Sequence, residues 1–146
     1  MKIILFFLFA IIANCYNVQK AVEYAQKYCN STNDEYKFYK KDDSVNFISQ
    51  CLIAGGESLE FCSNLDAKKA IFLLGNLLSC LNQIGWSSSK ERPPDFKAGY
   101  LVVNQEQKFI AIATEVNNRF IKYCKHSENT CDKILDSSNQ YTYYYR

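Results

Sequence analysis

Two side chains of this sequence have the types of a nucleophile and its base, Ser44 and His126. Ser44 follows Asp42 and Asp43 at the head of the run Asp42-Asp43-Ser44-Val45-Asn46-Phe47-Ile48-Ser49-Gln50-Cys51-Leu52-Ile53-Ala54-Gly55-Gly56, and His126 is the single histidine of the chain. A serine hydroxyl attacks a carbonyl only when a positioned base takes its proton. Ser44 attacking with His126 as general base is therefore the sharp reading. The plainer reading makes Ser44 a helix N-cap and His126 a surface histidine ahead of a polar loop. Asp42 and Asp43, if close to the hydroxyl, would disfavour an alkoxide.

Cysteine is the other reactive residue type, present seven times. Cys15 ends a stretch that reads as a secretory signal, residues 1–15: Lys2, the apolar run Ile3 to Ile12, then small residues, with cleavage before Tyr16. A competing reading makes Cys15 a lipid-modified terminus. The remaining cysteines are Cys29, Cys51, Cys62, Cys80, Cys124 and Cys131. An even set in an exported chain argues for disulfides. Cys124 and Cys131 flank a short polar loop and form the pair expected first. With no Cys-x-x-Cys pair and one histidine, zinc is not indicated. The sequence carries no cofactor signature.

The elements that must position these groups follow from periodicity. Asn17 caps a helix from Val18 to about Tyr28, with Val18, Val22, Ala25 and Cys29 on one face. The central run is a helix capped by Asp43 or Ser44, burying Phe47, Ile48, Cys51 and Leu52. Gly55 is placed to take the left-handed conformation that closes it. Asp66 caps a third helix running to about Gln83, with Ile71, Leu74, Leu77, Leu78 and Leu81 as its stripe. Trp86 to Ala98 is a loop broken by Pro93-Pro94. Tyr100 to Val103, Lys108 to Thr114, Arg119 to Cys124 and the tail Tyr141 to Tyr145 are strands, with a tight turn at Asn117-Asn118. Helices first and an antiparallel sheet afterwards is an α+β layout.

Length and composition agree with this. At 146 residues and 48% hydrophobic, the chain is expected to form one compact domain, residues 16–146. Formal net charge is +2, or +1 once Lys2 leaves with the signal, and there is no basic block, so nucleic acid is not suggested as a partner. The N-terminal apolar run, about ten residues, is too short to span a bilayer. Asn30-Ser31-Thr32 is a glycosylation sequon, placing a candidate glycan on Asn30.

The run around Ser44 also resembles a known family. The secreted putative amidase domain family, a branch of the papain-like NlpC-type cysteine hydrolases, carries Asp-Cys-Thr-Asn-Phe-Val-Ser-Gln ending in Leu-x-Ala-Gly-Gly. Asp43, Asn46, Phe47, Ser49, Gln50, Leu52, Ala54, Gly55 and Gly56 match it in register, and the family's nucleophilic Cys falls on Ser44. Its opening helix resembles Ala21-Val22-Glu23-Tyr24-Ala25. Its catalytic His opens a strand resembling His-Val-Ala-Ile-Val-Thr, which places that His on Phe109 of Phe109-Ile110-Ala111-Ile112-Ala113-Thr114. The preceding Gly-Asp-Val-Ile pattern corresponds to Gly99-Tyr100-Leu101-Val102, and a His followed by Ser or Thr on the next strand corresponds to His126-Ser127.

The resemblance implies a papain-like fold, three N-terminal helices packed on a small antiparallel sheet, spanning the mature chain. It implies a pseudoenzyme. Ser in place of Cys keeps an oxygen nucleophile but loses the benefit a helix N-terminus gives a thiolate, and Phe109 in place of His removes the base. Function then resides in binding a peptide, a cell-wall glycan fragment or a protein partner near the inherited cleft. The alternative is an active amide-bond hydrolase using Ser44 with His126, and a third reading keeps only the scaffold.

Overall fold

The computed structural model describes residues 15–62, 70–71, 73–128 and 130–146. Most of the signal segment, the Asp66 cap and Asn129 lie outside the described residues. Among the described residues three α-helices come first, α1 (Val18–Tyr28), α2 (Ser44–Ala54) and α3 (Leu74–Gln83). They are followed by strands β1 (Ser87–Ser89), β2 (Leu101–Asn104), β3 (Phe109–Val116), β4 (Ile121–Lys125), β5 (Thr130–Ile134) and β6 (Thr142–Tyr145). The strands form one antiparallel sheet in the order β1-β6-β2-β3-β4-β5. The molecule is α+β, as its pattern of elements requires.

The first helix forms where its capping chemistry places it, since Asn17 Oδ1 accepts the N–H of Lys20 at 3.0 Å. It buries Ala21, Ala25 and Cys29, with Val18 and Val22 half-buried beside them. α1 and α2 pack on β3 and β4. β3 is central, and Ile110, Ala111, Ile112 and Ala113 are all fully buried, which is why its sequence is apolar on both alternating faces. α2 departs from the one-sided pattern, because every residue from Ser44 to Leu52 is buried. Fully burying Phe47 and Ile48 contributes on the order of 1.5–3 kcal/mol each.

Three helix expectations are corrected. Neither Asp43 nor Ser44 caps α2 with its side chain, because both side chains bond elsewhere, as described below. Gly55 has an ordinary φ of −75° and Gly56 takes the left-handed conformation at +94°. Gly55 is required for a different reason: a Cβ there would collide with the ring of Tyr16. The third helix begins at Leu74, not Asp66, and Ala70, Ile71 and Leu73 are not helical. Ala70 and Ile71 are buried in a non-helical segment, where Ser49 Oγ reaches the Ile71 carbonyl at 3.1 Å.

The sheet has two strands that the sequence pattern does not show, β1 inside the expected Trp86–Ala98 loop and β5 in the polar stretch after His126. They are its two edges. The residues of β1 are exposed or half-buried serines, and of β5 only Thr130 is buried. An edge strand with little buried surface carries no hydrophobic alternation to read.

Disulfides are present as expected, but Cys124–Cys131, the pair expected first, is not among them. Cys29 is joined to Cys131 and Cys62 to Cys80, while Cys51 and Cys124 are buried free thiols. The ladder between β4 and β5 is irregular between Tyr123 and Lys125, and Asp132 stands at φ +48°. In this arrangement Cys131 bonds to Cys29, just past the end of α1, with Cα atoms 5.4 Å apart, and Cys124 stays in the core. The three sulfurs of Cys29, Cys124 and Cys131 nonetheless lie within 4.8 Å of one another. Sequence proximity identified the neighbourhood and missed the partner.

Candidate functional site

The N-terminus of α2 is held by a buried polar network centred on Asp43. Its Oδ1 accepts the backbone N–H of Tyr39 at 2.8 Å and the side-chain amide of Asn46 at 2.8 Å. Asn46 also donates to the carbonyl of Lys37 at 2.8 Å. The second oxygen, Oδ2, lies 2.5 Å from Nδ1 of His126. Asn46 and Asp43 are both about 1% exposed, so these bonds satisfy groups that would be costly to leave unpaired.

His126 is 4% exposed, which corrects its reading as a surface histidine. It follows β4 directly, and its ring stacks on Phe47 with centroids 4.0 Å apart and planes 16° from parallel. Its Nε2 lies 2.8 Å from the carbonyl oxygen of Tyr28, at the end of α1. A carbonyl only accepts, so Nε2 carries a hydrogen. The other nitrogen shares a hydrogen with the Asp43 carboxyl. Neither nitrogen is left to accept a proton from a hydroxyl.

Ser44 is the first residue of α2 and is largely buried. Its Oγ donates to the backbone carbonyl of His126 at 2.6 Å and lies 2.8 Å from Ser127 Oγ, which donates in turn. The structure thus brings Ser44 and His126 together through the wrong group for catalysis. The hydroxyl meets the main chain of His126, and the imidazole faces Asp43 and Tyr28.

Above these groups lies a cleft of about 830 Å³. Ser44 and Ser127 line it, as do Lys41, Lys108, Lys125 and Phe109. Phe109 opens β3 and is half-buried against Tyr123 and Tyr141, with ring centroids 5.4 and 5.6 Å away. Lys125 Nζ sits 5.2 Å from the Phe109 ring centroid and 3.7 Å from Glu128. An apolar ring capped by an ammonium thus shares the cleft with the serine, and it offers no base.

The buried free thiols Cys51 and Cys124 are poorly suited as nucleophiles, while Cys15 is exposed at the start of the described residues. Burial pushes the Cys124 thiol up to about 11 and holds that of Cys51 well above its ordinary value. With Cys29 and Cys131 joined, Cys124 alone of their cluster retains a thiol. Asn30 is exposed just past α1.

Sequence reasoning did not find Asp43 as the partner of His126, nor Ser127 and Lys125 as neighbours of Ser44. The position of Asp43 beside Ser44 in a patterned run was the available signal for the first. Nothing local marks the other two.

A family model described as a putative amidase domain matches residues 15–127. The uncharacterized protein YjcM of Bacillus subtilis (strain 168) is 48% identical over 40 residues, which are 27% of this chain and 10% of that protein. The chain therefore spans about a tenth of the length of this curated relative. No solved structure matches. Among the described residues, no helix is long and apolar enough to cross a membrane.

Proposed function

Because the chain belongs to the putative amidase domain family, we propose that it is an exported, catalytically degenerate member that holds a peptide, a cell-wall fragment or a protein segment in the cleft over Ser44. The observation that carries this reading is the commitment of His126. Both ring nitrogens are bonded away from the Ser44 hydroxyl, to Asp43 and to the Tyr28 carbonyl. A serine without a base at its proton is a poor nucleophile at neutral pH.

A papain-like, NlpC-type ancestry belongs to the same proposal. What supports it is a helix N-terminus carrying Ser44 and a strand opened by Phe109, both lining one cleft. In such a site Ser44 takes the place of the thiol and Phe109 that of the imidazole. The two intact disulfides fit an oxidising compartment and so support export.

One observation favours the alternative of a serine hydrolase. Asp43 against Nδ1 of His126 is the orienting half of a triad. Turnover would require Nε2 to leave Tyr28 and reach Ser44 Oγ. Treatment with a fluorophosphonate probe, read by intact mass, separates the two readings. No adduct is expected on the native protein. An adduct that disappears in Ser44→Ala would establish the hydrolase instead.

A further inference from the structure

We propose that the cleft over Ser44 selects an extended acidic peptide segment flanked by apolar residues; this deepens the binding reading above and rests on it. Three independent features of the hollow converge on that ligand.

The first is its extent. A second cavity of about 470 Å³ shares Lys41 and Ser127 with the first in its walls, so the hollow continues past Ser44 towards Phe38. Leu73 lines the first cavity and Phe38 the second, and they are 51% and 49% exposed. Two large apolar side chains left open to water on one groove suit side chains of an extended chain.

The second is charge. Lys40, Lys41, Lys108 and Lys125 line the joined cavities against Asp42 and Glu128. Lys125 is paired with Glu128. Lys40, Lys41 and Lys108 make no ion pair among the described residues. Cations gathered in a concave wall focus potential and raise the local concentration of an anionic partner. Carboxylates of the ligand complete the pairing the protein leaves open.

The third is backbone conformation. Among the described residues, four that are not glycine have positive φ, and three of them border this groove: Lys40 at 56°, Lys108 at 52° and Ser127 at 84°. Glycine or asparagine takes that conformation most readily. At two of the three positions a lysine takes it instead, so the charge is presented from a backbone that does not favour it. Such residues cluster where a ligand is held.

A peptide fits better than a nucleic acid because Asp42 and Glu128 stand among the cations: a phosphate backbone carries a charge on every nucleotide, whereas a peptide can set apolar residues opposite those carboxylates. Phe109, the ring that lines the first cavity with Ser44, is covered by Lys125 and packed by Tyr123 and Tyr141, which leaves little face for a sugar or base to stack on.

The test is fluorescence anisotropy of the disulfide-intact protein with a fluorescein-labelled peptide of alternating Glu and Leu. The same peptide with Gln for Glu, one with Lys for Glu, and a single-stranded oligonucleotide serve as comparisons. The acidic peptide is expected to bind roughly tenfold or more tightly than its Gln counterpart, and to weaken with salt. Lys41→Glu with Lys108→Glu should abolish that preference with an unchanged melting temperature, whereas Lys133→Glu on the β5 edge should retain it. Equal binding of the Glu and Gln peptides overturns the charge selectivity and leaves the cleft as a binding site. Tighter binding of the oligonucleotide overturns the peptide assignment. Failure of every peptide overturns the peptide assignment, while the broader binding reading would then stand or fall on a cell-wall fragment or a folded protein as the probe.

Discussion

Ser44 Oγ lies 2.6 Å from the main-chain oxygen of His126 and makes no bond to its imidazole. This relationship sets what these two side chains do in the packing of the protein. The helix N-terminus is fastened to the turn after β4 by the hydroxyl, and the histidine fastens the same turn to α1. Groups that could have carried chemistry instead join three elements, across 82 residues of chain between Ser44 and His126.

Removing the hydroxyl should therefore show as stability. Ser44→Ala leaves the His126 carbonyl without that donor and is expected to cost about 1–2 kcal/mol. Urea denaturation measures it, and an unchanged midpoint would count against the fastening role.

Loss of the imidazole should cost more. His126→Ala leaves Asp43 buried without its partner, and breaking a buried pair by removing one member costs about 3–5 kcal/mol. Asp43→Ala should be comparably damaging. The double variant should be less harmful than the sum of the two, because the groups act as one unit. Additive losses would show that they do not.

The register of the family resemblance can be tested by rebuilding. Ser44→Cys with Phe109→His should produce a thiol that iodoacetamide alkylates faster near neutral pH than Ser44→Cys alone. An imidazole at that position would stabilise the thiolate. Equal rates would place Phe109 outside reach of residue 44.

Disulfide reduction should act unequally. Cys29–Cys131 joins residues 102 apart and Cys62–Cys80 residues 18 apart. Constraint of the unfolded chain contributes about 4.7 kcal/mol for a loop near 100 residues and about 3 kcal/mol for one near 15. Cys131→Ser should therefore lower the denaturation midpoint more than Cys62→Ser. Peptide mapping without reductant should recover Cys29 with Cys131.

Cys124 sets an alkaline limit. Its thiol ordinarily ionises near 9.0 and burial raises this to about 11 in the folded protein. The folded state thus holds that proton to higher pH than the unfolded chain. The stabilising contribution is complete below about pH 9 and is lost as pH rises towards 11. At pH 8, iodoacetamide should leave Cys51 and Cys124 unmodified in native protein and label both after denaturation. Prompt labelling of the native form would contradict their burial.

What could be read directly from the sequence is what depends on neighbours within one element. Asn17 caps α1 because a side-chain oxygen can reach an N–H three residues away, and that relation is local. β3 shows itself because burial on both faces leaves no polar alternate positions from Ile110 to Ala113. The patterned run from Asp43 to Gly56 likewise marked the part of the chain where the site lies, and the α+β class followed from the order of helices and strands.

The tertiary structure decided everything that depends on which distant segments meet. Cys131 lies seven residues from Cys124 and 102 from Cys29, yet it bonds to Cys29, because strand pairing and the end of α1 bring those two Cα atoms within 5.4 Å. The edge strands β1 and β5 exist through pairing with β6 and β4, with little hydrophobic signal of their own. The fate of His126 is the sharpest case. Its place before a polar loop is a local property and suggests exposure. Its burial against Phe47, between Asp43 and the Tyr28 carbonyl, arises only when α1, α2 and the end of β4 pack together. Local patterning reports how much of a residue is buried within its element, and the partner that meets it there is set by the packing of the whole chain.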